Sequence, residues 1–326
     1  MKSMVRGMRF CAILSIVLAM LGPAHAQSYP ERPIRLVVPF PPGGSTDVVA
    51  RILAQDLSTT LKQNVIVENK AGAAGTIGIQ VVAQAKPDGY TFGVSGVGPV
   101  ALIPLIDKKL AYDPVKDLDV VAIISTIDLM FAAKPGGKKS LKEILEFAKN
   151  NPEKVAYGSA GAAGPIHVQF EYLAKLSGAS MLDVQYPGDA PQLFALMSGQ
   201  IDVGLLSLSS ATGAARDGKI IPLAVGSPSR VSSFPDLPTV VEATGLKDYS
   251  AYVWTALVAP KGTPKEALDK VNAALNAALN KPEIKERLDQ IGMQPLGGDV
   301  KAANEFIDKE IARYKTMVAV TGVKRE

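Results

Sequence analysis

Gly43, Gly44, Ser45, Thr46 and Asp47 stand together in PFPPGGSTD (residues 39–47), between the apolar run IRLVV and the helical pattern VVARILAQDL. Glycines let a ligand approach the backbone closely. The first amides of the following helix have no intrahelical partner and lie at the positive end of its dipole. That chemistry is anion capture. A nucleotide phosphate fails in detail: Phe40–Asp47 holds no lysine for a Walker loop, and a lone Gly–Gly pair is not the dinucleotide fingerprint. A second stretch, AYGSAGAAGPIH, spaces Gly158, Gly161 and Gly164 as G-x-x-G-x-x-G, again without Lys or Arg. A carboxylate held by neutral donors fits both loops better than a multiply charged phosphate. Packing in an α/β protein explains either loop alone; two of them in one exported chain favour ligand capture.

The remaining inventory excludes much other chemistry. Lys2, Arg6 and Arg9 precede the short apolar run Phe10–Leu21, and AHA (Ala24–Ala26) follows. Residues 1–26 therefore read as a secretory signal peptide, cut before Gln27, and the protein is expected in the periplasm. Its removal takes three of 35 basic residues, leaving 32 against 31 acidic ones, so the formal charge falls from +4 to about +1. Neither nucleic acid nor a membrane surface is an expected partner. Cys11 and His25 leave with it, so no thiol and one histidine, His167, remain. Cysteine nucleophiles, disulfides and Cys/His zinc sites are excluded. No EF-hand spacing occurs, and neither metal nor cofactor is expected. A Ser-His-Asp triad would have to use His167, and no G-x-S-x-G elbow accompanies it. Asp47 reads as a helix-start residue and His167 as a hydrogen-bonded structural histidine. Tyr157 and Tyr186 either line a cleft or pack, and Trp254 belongs to core or hinge.

The loops need a scaffold that sets them face to face. IRLVVPF (Ile34–Phe40) reads as a buried strand. STDVVARILAQDLSTTL (Ser45–Leu61) reads as an amphipathic helix with Val48, Ile52 and Leu53 inward and Arg51 and Gln55 outward. NVIVEN is a second strand, and Gly72, Gly75 and Gly78 surround the start of the helix IGIQVVAQA. KPDGY is a turn and TFGVS (Thr91–Ser95) a third strand. Ser140 with Glu143 predicts a capping box opening a helix over 140–150. Residues 154–178 repeat the grammar of strand, glycine loop and helix. The C-terminal part is mostly helical, over 264–280, 282–291 with Gly292 as the stop, and 300–318. Such alternation implies parallel β-α-β units. Ligands of open α/β sheets bind at the strands' C-terminal ends, so two facing lobes of this kind make a cleft.

Eight blocks in order resemble the Bug family of periplasmic solute-binding proteins, also called the tripartite tricarboxylate transporter receptor family. They are YPERPIRLVVPFPPGGSTDVVARILAQDL, VIVENKAGAAGTIG, AKPDGYTF, LAYDPVKDLDVVA, GQIDVG, FPDLPTVVEATGLKDY, APKGTPKEALDKVNAAL and EIKERLDQIGMQPLGG. The likeness runs from about Tyr29 to Val323. It implies an α/β, two-lobe periplasmic-binding-protein type II fold, each lobe a mostly parallel sheet flanked by helices. The chain would cross between lobes near Phe131 and Trp254, with 27–131 and 254–326 forming lobe 1 and 132–253 lobe 2. The resemblance also implies a carboxylate pinched between two loops. One supplies Phe40, Gly43, Gly44, Ser45, Thr46 and Asp47. The other supplies Ser159, Ala160, Gly161, Ala162 and Gly164. Gly188, Asp189 and Ala190 of YPGDAP add a third contribution, and Ser95, Tyr186 and Ser207 complete the candidate contacts.

Departures from the family pattern bear on the ligand. Where the second loop commonly reads Gly-Asn-Gly-Ser/Thr, residues 161–165 read GAAGP and lack side-chain donors. Pro187 replaces an often basic residue, Leu206 a common aspartate, and GVGPVALIP is less polar than usual. These changes disfavour a many-oxygen ligand such as citrate and favour a mono- or dicarboxylate with an apolar or aromatic body. The expected function is a non-enzymatic, monomeric carrier. It closes on such an acid and delivers it to membrane subunits of a tripartite tricarboxylate transporter or, alternatively, to a membrane sensor. An exported hydrolase or lyase built on Asp47, Asp189 or Ser159 is the competing class, against which the inventory weighs.

Overall fold

The computed structural model describes residues 29–160, 163–186, 188–247 and 249–324. The expected signal peptide lies outside the described residues. The chain begins as read, with β1 (Ile34–Val38), α1 (Ser45–Leu61), β2 (Val65–Asn69), α2 (Thr76–Ala83) and β3 (Thr91–Gly96). β1 lies between β2 and β3, parallel to both. Ile52, Leu53 and Leu57 of α1 bury one stripe on this sheet, while Arg51 and Gln55 face water. Val49, rather than Val48, is the fully buried valine of that helix. A π-helical turn (Gly98–Leu102) and a single α-turn (Ile103–Ile106) follow β3.

The 16-residue β4 (Leu118–Ala133) then leaves this lobe. The next elements are α3 (Leu141–Asn150), β5 (Ala156–Ala160), α4 (Pro165–Ser177), β6 (Leu182–Tyr186), α5 (Asp189–Met197), β7 (Val203–Ser207), α6 (Leu208–Arg216), β8 (Ile221–Val225) and α7 (Val240–Thr244). β5 pairs in parallel with β6 and β7. The chain returns through β9 (Tyr252–Pro260) to α8 (Lys265–Leu279), α9 (Pro282–Gln290), β10 (Gln294–Gly297) and α10 (Val300–Thr321). Strand order is β2-β1-β3-β9-β4-β7-β5-β6, with β10 and β8 also on β4. β4 pairs antiparallel with β9 from Leu118 to Asp128 and with β7 from Leu129 to Ala133. Alternating strand and helix predicts parallel neighbours. β4 and β9 are antiparallel because one carries the chain out of the first lobe and the other carries it back.

Each lobe has its own core. Ile34, Leu36, Leu53, Val94 and Leu275 pack in the first; Leu129, Phe131, Tyr157, Phe170 and Leu205 pack in the second. Tyr157 stacks on Phe170 with ring centroids 4.0 Å apart, so it is a core residue. Gly292 ends α9 as read: at φ +71° it lets its own N–H and that of Met293 bond back to Asp289 and Leu288.

The capping box expected at Ser140 does not form. Ser140 takes the N-cap position without a side-chain hydrogen bond, and Glu143 is exposed, where water competes for it. The box occurs at α7 instead. There the Glu242 N–H donates to Thr239 Oγ1 at 3.2 Å and the Thr239 N–H donates to the Glu242 carboxylate at 2.8 Å. Thr239→Ala is expected to cost about 1 kcal/mol, read as a lower urea midpoint at unchanged slope. Among the described residues, no helix is long and apolar enough to cross a membrane.

Candidate ligand-binding site

The loop from β1 to α1 is held from beneath by Asp47, which is 2% exposed. Its carboxylate accepts from the Gly43 N–H at 2.9 Å, from Arg51 Nε at 2.9 Å and from Asn69 Nδ2 at 2.8 Å. Asn69 also donates to the Phe40 carbonyl at 3.1 Å, so one amide ties both ends of the loop. The Arg51 hydrogen bond is the main cause that holds the Asp47 carboxyl down at about 2, helped by Gly43 and Asn69 and opposed by burial. Asp47 is therefore ionised at neutral pH and committed to its own loop. Its removal leaves the leading amides of α1 without a fixed approach. Asp47→Ala is expected to lose about 2 kcal/mol of stability near pH 7. Since the folded pKa is depressed, this contribution is present above the ordinary aspartate range and is lost as pH falls towards 2. Urea melts should accordingly differ fully at pH 5 and converge for parent and variant as pH falls from about 4 towards 2.

Gly43 has φ +85°, a conformation that favours glycine, whereas Gly44 is extended (φ −72°, ψ 163°) and precedes the helix as its N-cap. A Cβ at Gly78 would lie 2.6 Å from Pro39 Cα and 2.8 Å from the Lys70 carbonyl, so α2 packs directly on the loop. A Cβ at Gly75 would lie 3.1 Å from the Phe40 ring. The glycines of AGAAGTIG thus seat Phe40.

The opposing loop is organised by His167. The Ala163 N–H donates to His167 Nδ1 at 3.0 Å, and Nε2 lies 3.6 Å from the Asp183 carboxylate. Ser159 Oγ donates to the other oxygen of that carboxylate at 2.7 Å. Ser159 and His167 therefore share Asp183 and hold the loop, with no nucleophile–base contact between them. Pro165 opens α4 after Gly164, so the first helical position has no N–H to offer. Gly161 and Ala162 lie outside the described residues. In the third loop Asp189 accepts from the Ser207 N–H at 3.2 Å, from Ser207 Oγ, and from Ser210 Oγ at 3.4 Å. Its carboxylate thus braces the start of α6.

A cavity of about 370 Å³ lies between the lobes. Of the residues picked from sequence, it brings together Phe40, Ser45, Thr46 and Gly164. Gly43, Gly44 and Asp47 support that wall from the same loop. Ser95, Ser159, Tyr186, Gly188, Asp189, Ala190 and Ser207 are outside its described lining. Ser95 is buried in β3, and its Oγ has no hydrogen-bond partner among the described residues. Tyr186 packs against the apolar cluster around Met130 and Leu196. The lining also contains residues not singled out from sequence as ligand contacts: Ala74, the run Gly96–Pro99, Leu102, Ile103, Ile106, Ile127, Ala163, Pro165, Val253, Trp254 and Thr255. The weak polarity of GVGPVALIP was the available signal for the largest group of these. Among the described residues, no group of three His, Cys, Asp or Glu side chains is placed to hold a metal.

Two α/β lobes joined by crossing strands, with a cavity between loops at strand C-termini, define a periplasmic-binding-protein type of molecule. Comparison with known proteins narrows this. The tripartite tricarboxylate transporter family receptor matches residues 49–323. Protein BugT of Bordetella pertussis is 33% identical over 321 residues, covering 97% of this chain and 98% of BugT. The periplasmic binding protein BugD has a TM-score of 0.75 at 33% identity, covering 91% of this chain and all of that one. Rpa4515 of R. palustris, solved with adipate, has a TM-score of 0.78 at 30% identity, covering 91% and 99% of the two chains. MatC of Rhodopseudomonas palustris, solved with malate, has a TM-score of 0.74 at 32% identity, covering 89% and 100%. The chain belongs to the tripartite tricarboxylate transporter receptor family, the Bug proteins. This is a family of periplasmic solute-binding receptors rather than enzymes.

Proposed function

We propose that this protein captures a small carboxylate in the periplasm by closing its lobes and delivers it to membrane subunits of a tripartite transporter. In this reading residues 1–26 are removed on export. The lobes divide within β4, near Phe131, and within β9, near Trp254, and the receptor acts as a monomer. The observation that carries the proposal is the cavity between the start of α1 and the start of α4. The leading amides of α1 supply fixed partial positive charge, and Ser45 and Thr46 add hydroxyl donors. Adipate in Rpa4515 and malate in MatC support a carboxylate as the class of ligand. The lining Phe40, Ile103, Ile127 and Trp254 supports an apolar body on that acid.

Closure follows from how the lobes are joined. β4 and β9 carry the chain across, and ligand shared by both jaws shifts the molecule towards a closed form that a membrane partner reads. The test is a thermal-shift panel of carboxylic acids followed by small-angle scattering on the best of them. A raised melting temperature with a smaller radius of gyration is expected. No stabilisation by any carboxylate, or a scattering profile unchanged at saturation, would reject the clamp.

A further inference from the structure

The described lining of the cavity offers an anion helix-start amides and hydroxyls but no charged side chain. Ser45 and Thr46 open a 17-residue helix whose leading amides lack intrahelical partners. On the opposing jaw, Pro165 has no N–H and the Ala163 N–H is already bonded to His167. Val97, Leu102, Ile103, Ile106, Val253 and Trp254 supply apolar lining, and Thr255 adds a hydroxyl. No lining residue among the described ones carries a charge, and Gly161 and Ala162 bring none by type. Arg51, behind the loop, is engaged by Asp47 and Asn69. The indole N–H of Trp254 is turned to Glu310 at 2.8 Å, leaving hydrocarbon as that residue's contribution to the cavity.

We infer that the site selects monocarboxylates with an uncharged aliphatic or aromatic body over dicarboxylates of the same length. The inference rests on the carboxylate reading above and adds the rejection of a second charge. An ionised carboxylate leaving water needs a counter-charge or several donors. At the α1 end it meets amides and hydroxyls. A second carboxylate, placed among the largely apolar remainder of the described lining, would find no cation there. A methyl or phenyl terminus at that position loses no hydration of charge and buries its surface against Ile103 and Trp254.

Calorimetric titration of the mature protein at pH 7 with hexanoate, benzoate and adipate tests this. Hexanoate and adipate share a six-carbon chain and differ by one terminal carboxylate. Hexanoate is expected to bind about 100-fold more tightly than adipate. Ile106→Arg supplies the missing cation. Ile106 is half-buried and borders both the cavity and a surface groove, so an arginine stem there can keep its head hydrated. The variant is expected to narrow or reverse the preference, with adipate gaining about tenfold or more. Adipate binding as tightly as hexanoate to the parent protein overturns this inference and leaves carboxylate capture standing. Failure of all three acids to bind overturns both. A folded Ile106→Arg protein with an unchanged ratio overturns the inference that the ligand's second terminus lies by Ile106; the parent ratio decides the matter if that variant does not fold.

Discussion

Glu310→Ala is expected to lower the unfolding free energy by about 3–5 kcal/mol, among the largest single-site losses in the molecule. Glu310 is 3% exposed and lies on α10 behind the cavity wall. Its two oxygens accept from Tyr252 Oη at 2.6 Å, Trp254 Nε1 at 2.8 Å, and Arg313 Nε and Nη2 at 2.9 and 2.7 Å. Arg313 also donates to the Ser250 carbonyl at 3.0 Å. Gln169 of α4 donates to the Tyr252 carbonyl at 3.0 Å and to Tyr314 Oη. One carboxylate therefore joins the C-terminal helix to β9 just where that strand enters the first lobe. Gln169 extends the contact into the second lobe. Alanine would leave the buried Trp254 N–H and the half-buried Arg313 guanidinium and Tyr252 hydroxyl without this acceptor, and that desolvation sets the magnitude. Glu310→Gln retains one acceptor and should fall between parent and alanine. Urea titrations of the three proteins supply the measurement. A loss below about 1 kcal/mol for alanine would mean that water replaces the carboxylate and that the network is solvated. Because the Trp254 ring lines the cavity, ligand affinity should fall in the same order.

Nothing near Glu310 in the sequence marks that role. In EFIDKEIARYK, Glu310 and Arg313 look like an ordinary i,i+3 pair on a solvated helix face. Their burial is fixed by Tyr252 and Trp254, roughly 60 residues away in the chain. The same distance limit explains what else was hidden. β1, its loop and α1 were legible because strand, glycines and helix are contiguous, each set by local periodicity. The family pattern of ordered blocks carried the two-lobe fold. The antiparallel pairing of β4 and β9 was not legible, since which strand lies beside which depends on the whole chain path. Among site residues, Phe40, Ser45, Thr46 and Gly164 could be read from their own loops. Ile103, Ile127 and Trp254 enter the lining only because a π-turn and two crossing strands bring them to one place. Asp189 is a candidate contact only through the family resemblance of YPGDAP; the structure ties its carboxylate to Ser207 and Ser210. Ser140 and Glu143 had the right spacing for a capping box. Spacing cannot report that Glu143 stays in solvent, whereas at Thr239 the Glu242 side chain folds back on the N-cap.

Gly44→Val is expected to weaken ligand binding by about 100-fold or more while leaving the melting temperature of the free protein unchanged within about 2 °C. The backbone at Gly44 (φ −72°, ψ 163°) is extended, a conformation that valine adopts readily. A Cβ there would meet only the Pro41 carbonyl, at 3.6 Å, an ordinary contact. The fold therefore meets no clash and bears only the poorer N-cap preference of valine, a cost of roughly 0.5–1 kcal/mol. The ligand does clash with it. Valine places an isopropyl group directly before the Ser45 and Thr46 amides, where the carboxylate must approach within hydrogen-bond distance. Gly43→Ala makes the complementary control. Its Cβ would meet nothing within 4 Å, but φ +85° strains any L side chain, so stability should drop by about 1 kcal/mol. Affinity at Gly43 should suffer only as far as the loop shifts. The two glycines thus separate blocking the anion from distorting the loop that holds it. Retained affinity in Gly44→Val would place the ligand's charge somewhere other than the start of α1. With no charged side chain among the described lining residues, such donors would then be other lining groups, such as the Gly164 N–H or the Thr255 hydroxyl.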